Sequence, residues 1–252
     1  MSESVLYQRE GYVGTIVLNK PERHNSLGRI ELDELHKILD QVESDNDVRM
    51  LVVTGRGDKT FCAGASLQDL RDGLIQGDDF QAVTDRIGSL RMPTLAALGG
   101  NAFGGGVELA LSCDFRMGVT GIRMRVPAAR IGLCYPVNGI QRFVEKLGMN
   151  VAKRVLMAAE EFDTQGMKDI GFLSMVVEPS QLQPEVERFS ASVAALAPMA
   201  VAAMKAIIQQ SGRGQLDMAT ASDLVATCAG SNDLREGLLA QKEKREPEFS
   251  GQ

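Results

Sequence analysis

The stretch 95–117, LAALGGNAFGGGVELALSCDFRM, constrains the fold of this chain more than any other. A continuous apolar strand runs into a glycine-rich turn, then into a helix over 105–112 and a further strand over 114–119. An apolar run without alternation is expected of a strand buried on both faces. The glycines let backbones or ligands approach closely. A shorter version lies upstream: the apolar run 50–54, a turn at 55–59, then FCAGASL at 61–67 leading into a helix. Strand and helix alternate with short links, which predicts an α/β core.

Both glycine-rich turns open helices. The first N–H groups of a helix have no intrahelical partner, and the helix dipole favours negative charge there. Two such turns side by side can aim two N–H groups at one oxygen, forming an oxyanion hole. Read singly, each turn is equally an ordinary, tightly packed strand-to-helix connection. Rival motifs fail. The glycines at 100 and 104 do not have the GxGxxG spacing, and GRGDKT at 55–60 lacks the P-loop order. Neither GxSxG nor HExxH occurs.

The remaining segments extend the pattern. Strands are expected over 5–10 and 12–18, an amphipathic helix over 29–44, and a short strand over 174–177. Helices are expected over 139–147, 150–160, 181–196, 198–211, 215–229 and 232–244. The reading is one core over 1–195 and a helical region over 196–252. A formal net charge of -6 with no long basic run argues against nucleic acid as a partner. The four cysteines form no CxxC pair and only His24 and His36 are present, so no metal site is expected. The polar N-terminal stretch and the lack of a long apolar run predict a cytoplasmic protein with no membrane partner.

Four segments together carry a resemblance. LNKPERHNSL at 18–27, FCAGASL at 61–67, the 95–117 stretch and SNDLREGLLAQKEKREPEF at 231–249 are similar, in order, to signature segments of the crotonase (enoyl-CoA hydratase/isomerase) superfamily. The resemblance implies a spiral of ββα units with a helical C-terminal trimerisation region, and a homotrimer or a hexamer built as a dimer of trimers. It implies an acyl-coenzyme A thioester as substrate, with coenzyme A part of that substrate and no separate cofactor.

Position by position, the resemblance puts the two oxyanion-hole amides on Ala65 and Gly105, and an acid/base carboxylate on Glu108. Residues around Arg23 and the backbone of Ala63, Gly64 and Ala65 would contact coenzyme A. Lys242 and Arg245 would meet its phosphates, across a subunit boundary. The chain departs from the pattern at Ala128, where family hydratases carry a second catalytic glutamate, and at Ser66, usually aspartate. The loop GLCYPVNGI at 132–140 resembles instead that of the superfamily's methylmalonyl-CoA decarboxylase, with Tyr135 as a polar contact to the acyl group, although that enzyme has histidine where Ala65 stands. Arg123, Arg125 and Arg130 lie near this loop, as anion contacts or as solvated side chains. Three readings follow: an acyl-CoA hydratase or isomerase, a malonyl-type decarboxylase, and a catalytically silent acyl-CoA-binding paralogue.

Overall fold

The structure, a computed structural model, describes residues 4–252. The first three residues of the polar N-terminal stretch lie outside the described residues. After a hairpin, β1 (Val5–Glu10) and β2 (Val13–Leu18), and the amphipathic helix α1 (Arg29–Ser44), the chain repeats one unit three times. Strands β3 (Met50–Gly55) and β4 (Thr60–Cys62) precede helices α2 (Leu67–Arg71) and α3 (Gly77–Ser89). Strands β5 (Thr94–Leu98) and β6 (Asn101–Phe103) precede α4 (Gly105–Ser112). Strands β7 (Phe115–Val119) and β8 (Arg123–Arg125) precede α5 (Val137–Leu156).

The first strand of each unit enters one sheet and the second enters another. The larger sheet has the order β1-β2-β3-β5-β7-β10, antiparallel only at the hairpin, with β10 formed by Met175–Val177. The smaller has the order β4-β6-β8-β9, closed by β9 (Phe162–Asp163). This is the expected spiral of ββα units. Its corners explain several glycines. A Cβ on Gly55 would lie 2.2 Å from the Phe61 carbonyl oxygen, and one on Gly100 would lie 2.4 Å from the Thr60 amide. Successive turns of the spiral therefore pack backbone on backbone.

Alternation along the strands builds two cores. Leu51 and Val53 of β3 face the main core, with Leu32, Leu35, Leu39, Phe61, Leu109 and Phe143. Met50 and Val52 face the opposite way, with Leu95, Ala97 and Met117, under Val186 and Ala194 of α7 (Leu182–Ala194). A short helix, α6 (Thr164–Asp169), links β9 to β10. The two helices expected at 139–147 and 150–160 form α5, which kinks at Gly148 (φ 77°) and ends earlier, at Leu156. The smaller sheet was not anticipated, because its strands have two or three residues each.

The C-terminal helices are α8 (Pro198–Gly212), α9 (Met218–Gly230) and α10 (Asn232–Glu243). Helix α8 is tied to the core by Lys205, whose Nζ reaches Asp114 at 2.7 Å and the Met92 carbonyl at 2.8 Å. Yet Met204, Ile208, Met218, Val225, Leu238 and Leu239 are exposed on this region. Among the described residues no single helix is long and apolar enough to cross a membrane; only α7 with its leading turn and α8 together, bent by 99°, reach that length and composition.

The cysteines are all free. Burial pushes the Cys62 and Cys113 thiols up to about 12. Both then stay protonated in the folded chain from pH 9 to about 12, while the unfolded chain loses those protons. Their contribution to stability is therefore present below about pH 9 and lost as pH rises towards 12. Alkylation at pH 8 is expected to label exposed Cys134 readily and to leave Cys62 and Cys113 unmodified until the chain unfolds, as peptide mapping would show.

Candidate active site

The loop 18–27 is tied down chiefly by Asn25, with further ties from His24 to Thr60 at 2.9 Å and from Lys20 to Glu31 at 2.7 Å. Asn25, buried and at φ 52°, accepts from the Lys20 amide at 3.0 Å through Oδ1 and donates to the carbonyls of Arg56 (3.1 Å) and Thr60 (2.8 Å) through Nδ2. The pinned loop then delivers Leu27 to the first glycine-rich turn. The Leu27 amide donates to the Gly64 carbonyl and the Ser66 amide to the Leu27 carbonyl, both at 2.8 Å. In this parallel bridge the N–H of Ala65 points away from Leu27. It has no acceptor among the described residues, and neither does the N–H of Gly105 at the start of α4.

The two turns touch directly. A Cβ on Gly64, which sits at φ +85°, would fall 2.4 Å from the Gly105 nitrogen. One on Gly106 would fall 2.0 Å from the Cys62 carbonyl oxygen, and one on Gly105 would meet the Phe80 ring at 2.6 Å. Backbone contacts thus require glycine at 64 and 106, while a side chain at 105 would have to displace the Phe80 ring. Ser66 caps α2, its hydroxyl accepting from the Asp69 amide at 3.2 Å. Aspartate, the usual residue there in the family, is an N-cap of the same kind, so the departure preserves the turn.

Ala65 and Gly105 open onto a cavity of about 690 Å³, which Glu108 and Tyr135 also line. Its walls include Leu67, Leu70, Phe80, Ile131 and Leu133, apolar side chains suited to an acyl chain. Glu108 projects from the first turn of α4 and is 1% exposed. Its Oε1 accepts from Arg142 Nη1 at 2.5 Å, Gln81 Nε2 at 2.8 Å and Thr84 Oγ1 at 3.3 Å. Oε2 accepts from Gln81 Nε2 at 3.0 Å, and a Cβ on Gly139 would stand 3.1 Å from it. Oε1 thus takes three donors and Oε2 fewer, which leaves Oε2 the more open of the two oxygens.

Tyr135 lies over Gly139, whose missing side chain makes room for the ring, and packs edge-on against Phe143. Burial, then the charge of Glu108 and a hydrogen bond to it, raise the Tyr135 pKa well above the usual tyrosine value. The phenol therefore stays neutral and acts as a donor. Ala128 is buried in the main core and does not line the cavity.

The sequence did not point to Gln81, Thr84 or Arg142. The available signal was polar residues on the buried face of α3, at 81 and 84, among Phe80, Val83 and Ile87. Arg142, on α5, reaches Glu108 and also pairs with Asp85. Replacing one partner of a buried ion pair strands the other. Arg142→Met is therefore expected to cost about 3–5 kcal/mol in urea unfolding, and the penalty should shrink in combination with Glu108→Gln.

The other anticipated residues lie elsewhere. Arg23 is an exposed residue at the end of a short 3-10 turn beside the site, and Ala63 stands beside Gly64, its amide bonded to the His24 carbonyl at 3.0 Å. Lys242 and Arg245 do not line the cavity, and Arg245 is held by Glu236 at 2.5 Å and Glu243 at 2.8 Å. Arg123 pairs with Glu161 at 3.1 Å, Arg125 donates to the Ala159 carbonyl at 3.1 Å, and Arg130 is exposed outside the cavity. His24 and His36 are likewise outside it.

With this geometry in hand, comparison with known proteins is specific. A crystal structure of enoyl-CoA hydratase from Bacillus anthracis superposes with a TM-score of 0.90 at 29% identity, covering 99% of this chain and 100% of that one. The spiral is that of the crotonase superfamily. The family model for enoyl-CoA hydratase/isomerase matches residues 8–252. Short-chain-enoyl-CoA hydratase of Clostridium acetobutylicum is 31% identical, over 97% of both chains. The mitochondrial methylglutaconyl-CoA hydratase of Rattus norvegicus is 32% identical over 95% of this chain and 80% of the relative. The chain belongs to the enoyl-CoA hydratase/isomerase family, and it is an acyl-CoA-processing enzyme of that family.

Proposed function

We propose that this enzyme adds water to a 2-enoyl-CoA thioester with a single glutamate. The observation that carries this reading is the placement of two unpartnered amides and one carboxylate on the same apolar cavity. The thioester oxygen lies between the N–H groups of Ala65 and Gly105. Glu108 Oε2 takes a proton from water as its oxygen bonds to the third acyl carbon. The π electrons move to the thioester oxygen, where the amides hold the enolate. The same carboxyl then returns the proton to the second carbon, so water is added with no net proton change. Arg142, Gln81 and Thr84 orient the carboxylate. Coenzyme A binds near Arg23 and the backbone of Ala63 to Ala65, and Lys242 and Arg245 serve its phosphates from a neighbouring subunit.

A second reading, decarboxylation of a malonyl-type thioester, is favoured by Tyr135 beside Glu108 and by alanine at 128. It needs the oxyanion hole but no strong base. The purified enzyme is expected to consume crotonyl-CoA, seen as loss of the enoyl absorbance, and to leave malonyl-type thioesters intact. The reverse result selects decarboxylation. Binding of both without turnover selects the silent paralogue.

The exposed apolar side chains of α8 to α10 support self-association as a trimer or hexamer through the region 196–252. Sedimentation should give a mass three or six times that of the chain, and Val225→Asp with Leu238→Asp should lower it.

A further inference from the structure

Gln81 enters this site through its amide, of which only half is used. It is 5% exposed and lines the cavity. Nε2 donates to both oxygens of Glu108, at 2.8 and 3.0 Å. A carboxylate only accepts, so the amide orientation is fixed by chemistry. Oε1 is consequently left over, and it has no hydrogen-bond partner among the described residues. Buried acceptors in folded proteins are rarely left unpaired, and each exception asks for an explanation. Among the described residues the buried side-chain atoms left without any partner are on Tyr7, Gln81 and Ser190, and of these only that of Gln81 belongs to a residue lining this cavity. Oε1 is also closed to water-sized molecules with the cavity empty, so a donor reaches it only when the side chain shifts slightly as a ligand fills the cavity.

We propose that Gln81 Oε1 accepts a hydrogen bond from the oxygen at the third acyl carbon: the water before addition and the hydroxyl after it. The proposal rests on the hydration reading above and completes it. Water carries two protons. One passes to Glu108 Oε2 and on to the second carbon. The other is held by Gln81. An amide oxygen is too weak a base to remove it at neutral pH, so that proton stays on oxygen and becomes the product's hydroxyl proton. The carbon–oxygen bond forms, one O–H bond of water breaks, and one C–H bond forms. Gln81 thus supplies the second contact to the water that Ala128 cannot make. The cavity accordingly selects 3-hydroxyacyl over 3-deoxyacyl ligands.

Two thioethers of coenzyme A, S-(3-hydroxybutyl)-CoA and S-butyl-CoA, test this. Neither has a carbonyl, so neither can be enolised and turned over during the measurement. By titration calorimetry, one enantiomer of the hydroxybutyl ligand is expected to bind the wild-type enzyme about tenfold more tightly than the butyl ligand. In Gln81→Met, which keeps length and bulk but loses both the acceptor and the Nε2 donor to Glu108, that preference should vanish while S-butyl-CoA affinity, which depends on neither group, changes by less than about twofold. Equal binding of the two ligands by the wild type overturns the proposal whether or not the variant folds. So does a preference that survives in a folded Gln81→Met. If the wild type shows the preference yet does not hydrate crotonyl-CoA, the hydration reading fails and the Gln81 contact stands. If it hydrates crotonyl-CoA and shows no preference, only the Gln81 proposal fails.

Discussion

Glu108→Gln is expected to lower kcat for enoyl-CoA hydration by about 10²- to 10⁴-fold, the range for a removed general acid/base. Glutamine fills nearly the same volume. Its carbonyl oxygen still accepts from Arg142 in place of Oε1, and Asp85 remains as a charge partner for that guanidinium, which limits the structural cost. What it lacks is an oxygen able to take and return a proton at the position of Oε2. KM should move much less than kcat, because the amides of Ala65 and Gly105 and the apolar wall still hold the substrate. Steady-state kinetics with crotonyl-CoA, alongside a thermal melt of the variant, separates this from unfolding. Decarboxylation would respond differently. That reaction asks no proton of Glu108 in its first step, so a variant that kept its rate on a malonyl-type thioester would favour the second reading.

Gly64→Ala should lower kcat/KM by about 10²- to 10³-fold, comparable to losing one oxyanion-hole donor. Two effects coincide at this residue. Its φ of +85° is unfavourable for any residue with a Cβ, at about 1–2 kcal/mol. The added carbon would also fall 2.4 Å from the Gly105 nitrogen, so one turn has to move away from the other. Either movement separates the two amides. The predicted signature is a loss of activity larger than the loss of stability, measured as kcat/KM against urea midpoint. A variant with full activity would mean that the spacing of these turns does not matter to the reaction. Gly106→Ala meets a carbonyl oxygen at 2.0 Å and should destabilise the fold more severely.

These positions also show what was legible in the sequence. The glycine-rich turns were visible as helix openings, but it was the resemblance of their motifs to the family's that named Ala65, Gly105 and Glu108, which the structure brings to one cavity. The first strands of two spiral units were readable from their apolar runs, in MLVVTG and TLAAL. The second strand of each unit was not. TFC, NAF and RMR are three residues long, too short to show a period, and they exist as strands only because neighbouring turns of the spiral supply their partners. Arg123 and Arg125 belong to one of them: read as anion contacts or solvated side chains, Arg123 is exposed and pairs with Glu161, and Arg125 donates to the Ala159 carbonyl.

The polar shell around Glu108 was illegible for a related reason. Gln81 and Arg142 are separated from it by 27 and 34 residues, on helices whose relative placement depends on the whole spiral. Loops pinned by side chains fall between these extremes. LNKPERHNSL was recognisable as a motif, but only the fold shows that Asn25 holds the 18–27 loop against Arg56 and Thr60, and so sets the position of Ala65.

The thioester carbonyl of an acyl-CoA is expected to sit between two backbone amides, with Glu108 beside the reacting carbons. A crystal structure of the enzyme with a bound, unreactive acyl-CoA such as butyryl-CoA tests it most directly. The predicted result is a thioester oxygen about 2.7–3.1 Å from the nitrogens of both Ala65 and Gly105, with the acyl chain running along Leu70, Phe80 and Leu133 towards Glu108. A thioester oxygen out of reach of either amide, or an acyl chain lying outside this cavity, would contradict it.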